Sequence, residues 1–216
     1  MASDKKKELD LLLKNRTPDQ QAALRYFYQM KGCIFGHLLT DQEYEQMVMK
    51  IVNSTDWKKK ALAKIGMEEE DVQEVQPIHL EGFFYPEKNY CALFGKDLKW
   101  RSSHYQISWV FCSATQVYVW QYTFSTIDDT KKERTEEYFY KDITNFSTLT
   151  ETREKDVPLK TTCKGDVEYG LKNVEFKQFS IIVPGDRFNC SMEENDDSLE
   201  ASIQGLKAKL REKKNA

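Results

Sequence analysis

The side chains of this 216-residue chain with the most obvious binding chemistry are four cations, Lys88, Lys96, Lys99 and Arg101. One residue separates the cations in Lys99-Trp100-Arg101. On a strand, alternation puts them on one side, where they can grip a phosphate together. The plainer alternative is a solvated basic face, because Lys-x-Arg is frequent by chance. Cys33 and His37 are four apart and could share a helical face, but Gly36 intervenes. The other histidines, His79 and His104, have no second ligand at zinc spacing. Cys33 reads instead as a small buried hydrophobe. Lys141 and Asp142 lie among aromatics and read as a structural ion pair or a backbone-bonded Asp. No nucleophile elbow, phosphate-cradling glycine loop, dinucleotide fingerprint or zinc-hydrolase helix is present. The residues predict no catalytic centre, no metal and no cofactor.

Composition narrows the partners. The formal charge is -3, with 40% hydrophobic and 31% charged residues. That balance offers no general attraction for nucleic acid or acidic lipid. The aromatics alternate as core residues do, with no basic groove beside them, so no nucleic acid is expected. The beginning MASDKKKELD has no apolar core of a secretory signal, and Ala2 replaces the glycine that N-myristoylation needs. No apolar run approaches the ~20 residues that span a bilayer. The five scattered cysteines read as reduced thiols, so a cytoplasmic location is expected. Three Asn-x-Ser/Thr sites, at Asn53, Asn145 and Asn189, are then chance matches.

The elements that must position these residues centre on Tyr105 to Phe124. Tyr105, Ile107, Trp109 and Phe111 share one face of a strand; Tyr118, Trp120, Tyr122 and Phe124 share one face of the next. Ser113 to Thr115 makes the turn, and Val117 and Val119 add apolar surface behind, which predicts a mid-sheet position. Upstream, a lysine-rich start over 3–16 forms a short docked helix. Thr17-Pro18-Asp19-Gln20 and Thr40-Asp41-Gln42-Glu43 are capping boxes that open two more helices. The first runs through Phe27 and Met30 to Gly32. The second carries Tyr44, Met47, Val48, Ile51 and Val52 on one face. A further helix starts near Ser54 or Thr55 and stops at Gly66. The acidic stretch 67–75 is the organisational boundary.

Strands follow from Ile78 to Tyr85 and from Tyr90 to Phe94, with a basic turn over 95–103. After the central hairpin, 128–134 reads as a charged loop and 137–146 as a strand with a bulge or bend before Phe146. Residues 148–156 read as an exposed strand end or loop, and 159–163 as a weak strand. Val174 and Phe176 have one parity and Phe179, Ile181 and Val183 the other, which predicts a bend. Pro184-Gly185 is a turn into 188–192. Asp197-Ser198-Leu199-Glu200 opens a last helix whose seam is Leu199, Ile203, Leu206 and Leu210.

Strands followed by a closing amphipathic helix are the element order of the pleckstrin-homology (PH) superfold. The stretches YFYKDITNFS and FSIIVPGDRFNCS, followed by that helix, resemble uncharacterised bacterial PH-like proteins, in which a Tyr-x-Asp-Ile strand and a Pro-Gly hairpin recur in this order. The resemblance covers about 78–213. It implies an α+β chain: N-terminal helices over 1–70, then over 71–216 a PH-like antiparallel β-barrel or sandwich closed by a C-terminal helix. It also implies that basic residues near the first strands, here Lys88, Lys96, Lys99 and Arg101, are the place for a phosphate headgroup. Because folds host many activities, the role expected is a non-enzymatic module that binds a protein partner or another copy of itself. Weak membrane-surface or phosphate-headgroup binding through the basic loop is the alternative, and an enzyme of unknown class comes after it.

Overall fold

The computed structural model describes residues 2–29, 38–72, 75–161, 167–193 and 197–215. Cys33, His37, Gly32 and Cys163 lie outside them, and with them the expected buried position of Cys33 and the expected helix stop at Gly32.

Four helices come first: α1 (Ala2–Leu12), α2 (Pro18–Tyr28), α3 (Asp41–Val52) and α4 (Trp57–Ile65). Both capping boxes form. Thr17 and Thr40 accept from the backbone N–H three residues on, and the Gln20 and Glu43 side chains accept from the cap N–H in return. The start of α4 is corrected by one or two residues, because Asp56 is the residue that caps it; Gly66 ends it in the left-handed conformation.

Two larger antiparallel sheets follow. In the first, β1 (Val75–Phe84), β4 (His104–Cys112), β5 (Gln116–Ser125) and β6 (Lys131–Phe139) lie in that spatial order. The second is β7 (Asn145–Thr161), β8 (Val167–Val183) and β9 (Asp186–Met192). A small hairpin, β2 (Ala92–Phe94) with β3 (Trp100–Ser102), is inserted between β1 and β4. The helix α5 (Asp197–Asn215) closes the order.

The central hairpin is mid-sheet, as its two-sided apolar pattern required. Tyr105, Ile107, Phe111, Trp120 and Phe124 face the helices and pack with Leu24, Phe27, Tyr44, Val48 and Leu62. Val110, Cys112, Val117 and Val119 face the opposite way, onto Phe146, Phe179, Ile181 and Phe188 of the second sheet and the α5 seam of Leu199, Ile203, Leu206 and Leu210. The layers are thus helices, sheet, and a second sheet with α5.

The expected barrel does not close. Glu193 N–H bonds Glu81 C=O at 3.0 Å, and Gln106 and Gln121 reach Ser191 N–H (2.7 Å) and Asn189 C=O (2.8 Å). These bonds stitch β9 to the first sheet where a continuous ladder would have run.

Several local expectations change. Residues 131–134 are strand, not loop, because β5 pairs them through Phe124↔Lys131. The anticipated bend before Phe146 is a 3-10 turn, Tyr140–Asp142, between two sheets. Residues 148–156 lie inside the long β7, paired throughout with β8. The parity switch in β8 occurs without a register shift at that point. Val174 and Phe176 pack on Tyr85, Tyr90 and Val157, while Phe179 and Ile181 enter the core between the sheets. One strand serves two cores on opposite faces. Pro184-Gly185 joins Val183 to Asp186, with Gly185 at φ 83°.

Candidate functional site

The β2–β3 hairpin replaces the simple basic turn read from the sequence, and it carries three of the four predicted cations. Its tip is closed by Gly95 N–H to Lys99 C=O at 2.8 Å and Leu98 N–H to Gly95 C=O at 3.2 Å. Arg101 does not join Lys99 at a common surface. It is 1% exposed, and its guanidinium binds both oxygens of Asp97 (2.9 and 2.6 Å) and Glu45 Oε1 (2.5 Å). Hydrogen bonding to Arg101 holds the Asp97 carboxyl down at about 2. Further bonds fix the hairpin to the helices. Asp41 accepts from Lys96 N–H at 2.9 Å and from the Tyr26 hydroxyl at 2.8 Å, and the Tyr44 hydroxyl donates to Ser102 C=O at 2.7 Å. Lys88, Lys96 and Lys99 are exposed. Of these, Lys99 alone lines the cleft described next.

Between α3, the hairpin, β1, β4, β8 and the end of β9 lies an open cleft of about 650 Å³. Six aromatic rings and five charged side chains line it. Tyr85 stacks on Phe176 at 5.0 Å, and Phe83 meets Tyr105 edge-on at 5.4 Å. On the hairpin side Phe94 and Trp100 stand 5.0 Å apart. Arg153 braces this wall by donating to Tyr85 C=O and lying 5.0 Å from the Phe176 ring. At the β9 end, the Tyr105 hydroxyl donates to Glu193 at 3.3 Å. Burial and the neighbouring Glu193 push the Glu81 carboxyl up. The rim carries charges of both signs, Lys99 and Lys177 against Glu175 and Glu193.

Two rim residues depart from ordinary surface chemistry. Leu98 is 76% exposed and has φ 63°, a conformation disfavoured for a side chain with Cβ. Phe94 is 43% exposed. An apolar residue held in the left-handed region at this exposed tip contributes nothing to the core. Sequence reading missed this cleft because its lining comes from six separated elements. The clue within reach was Phe94, Leu98 and Trp100, three large apolar residues in one short turn.

Cys91, Cys190 and the described imidazoles do not resemble activated groups. Burial pushes Cys91 and Cys190 up to about 12, so neither is a thiolate at neutral pH. Burial lowers His79 and His104, which keeps both rings neutral at that pH. Among the described residues no cluster of three or more His, Cys, Asp or Glu could hold a metal ion, and no helix is long and apolar enough to cross a membrane. No family model, curated protein or solved structure matches the chain.

Proposed function

We propose that the chain is a non-enzymatic, cytoplasmic interaction module of PH-like design, and that the cleft beside the β2–β3 hairpin holds a segment of a partner protein. The fold part of this reading rests on a four-stranded meander, a three-stranded meander and a terminal helix following one another in that order. The compartment rests on the buried free thiol Cys190 and the largely buried free thiol Cys91.

The observation that carries the binding role is the aromatic cleft with exposed Phe94 and Leu98 at its mouth. Its volume falls within the roughly 300–1,000 Å³ typical of ligand sites. Its floor suits large apolar side chains, and its mixed rim suits flanking charges of both signs. Headgroup binding is the weaker reading, because Arg101, the cation best placed to share a phosphate with Lys99, is buried against two carboxylates.

Selection from a random peptide library tests the reading. The wild-type protein should enrich peptides with large apolar residues, and titrating one of them should change Trp100 fluorescence. A folded Phe94→Ser/Leu98→Ser variant should do neither. Equal enrichment by both proteins, or none by wild type, refutes the role.

A further inference from the structure

The outer edge of β6 is a second surface, independent of the cleft. Strand β6 is the end strand of its sheet, and no described strand other than β5 pairs with it. The bonds Ser125 N–H to Thr130 C=O (3.0 Å) and Tyr140 N–H to Thr115 C=O (3.3 Å) fix which residues turn inward. Even-numbered residues of β6 bond to β5. The odd-numbered ones, Lys131, Glu133, Thr135, Glu137 and Phe139, therefore direct their backbone N–H and C=O groups away from the sheet, and all five are exposed. Such a row is a template for another strand.

The charge order along this edge is polar. Lys131 and Lys132 stand at one end and Glu136 and Glu137 at the other. Parallel pairing of two copies would set like against like; antiparallel pairing sets unlike against unlike. Cross-strand partners share a face, so a two-fold axis must pass through a residue and its own mate. An axis at Glu133 opposes Lys132 to Arg134, and an axis at Thr135 opposes Glu133 to Glu137. An axis at Arg134 opposes Lys131 to Glu137 and Lys132 to Glu136, each pair occurring twice. The Arg134 charge on that axis is already drawn back, with Nε 2.9 Å from Glu136 and the guanidinium 4.5 Å from the Phe188 ring. Glu133 is likewise occupied, accepting from Trp120 Nε1 at 2.8 Å.

We propose that two copies of this chain pair antiparallel along β6 about Arg134, forming one sheet that runs through both. The outward groups of Lys131 and Glu133 then exchange backbone hydrogen bonds with those of Glu137 and Thr135 of the mate, and charge sets the register.

The test uses the full chain and light scattering during size exclusion. Wild type should have twice the 25.4 kDa chain mass. Lys131→Glu/Lys132→Glu and Glu136→Lys/Glu137→Lys should each have the single-chain mass with an unchanged circular dichroism spectrum. Their equimolar mixture should regain the doubled mass, because every reversed charge then meets its opposite. A single-chain mass for wild type at every concentration overturns the proposal, as does a doubled mass for either variant alone. Failure of the mixture to reassociate overturns the register and with it the proposal.

Discussion

Replacing Arg101 by Ala removes a buried cation that ties the hairpin to α3. Arg101 is 1% exposed, whereas the Asp97 and Glu45 side chains that bind it are each 41% exposed. Breaking a fully buried pair costs about 3–5 kcal/mol, chiefly because the remaining charge stays dry. Here the orphaned carboxylates can rehydrate, which lowers that penalty. The loss of charge-assisted bonds, each worth about 1.5–3 kcal/mol, remains. We expect Arg101→Ala to lose about 2–4 kcal/mol, read from the midpoint of urea unfolding.

The pH dependence makes the test specific. Asp97 titrates at about 2 in the folded chain against a reference of 3.8. A carboxyl depressed on folding stabilises the fold above its unfolded pKa, and that contribution disappears as pH falls through the folded value. The gap between wild type and Arg101→Ala should therefore be full above pH 4 and shrink towards pH 2. A variant within about 0.5 kcal/mol of wild type, the spread of ordinary surface substitutions, and with a gap indifferent to pH would refute the clamp.

Two further outcomes concern the core and the seam between sheets. Leu206→Ala in α5 deletes a fully buried side chain between the sheets and should lower stability by about 2–5 kcal/mol in urea; an unchanged midpoint would mean that α5 does not plug the sandwich. Glu81→Gln should raise the melting temperature at pH 7. The Glu81 pKa is raised by burial and by Glu193, so its ionised form opposes folding once pH passes its unfolded pKa. The gain should vanish in acid below that pKa, and a melting temperature lowered at pH 7 would contradict this.

Local chemistry was legible wherever neighbours in sequence are also partners in space. Thr17 with Gln20, Thr40 with Glu43, and Pro184 with Gly185 act within one turn, and all three form as read. The alternation of Tyr105 to Phe124 likewise announced a strand pair with both faces covered. The reading failed for 131–134 and 148–156, whose polar residues are held in strands by long-range ladders that propensity does not encode. It also failed for Lys99 and Arg101. Alternation constrains backbone direction, but it does not say that the Arg101 side chain turns onto Asp97, four residues away, and Glu45, 56 residues away in the chain.

By itself the sequence determined the α+β class, the positions of the caps and turns, the two-faced central hairpin and the amphipathic last helix. Each follows from interactions spanning a few residues or from the period of apolar side chains. The tertiary structure alone decided that Arg101 is a clamp, that the sheets stop short of a barrel, that six elements line a cleft, and that β6 has no neighbour but β5 among the described strands. These depend on which distant segments meet, and composition and period leave that choice open until the layers pack.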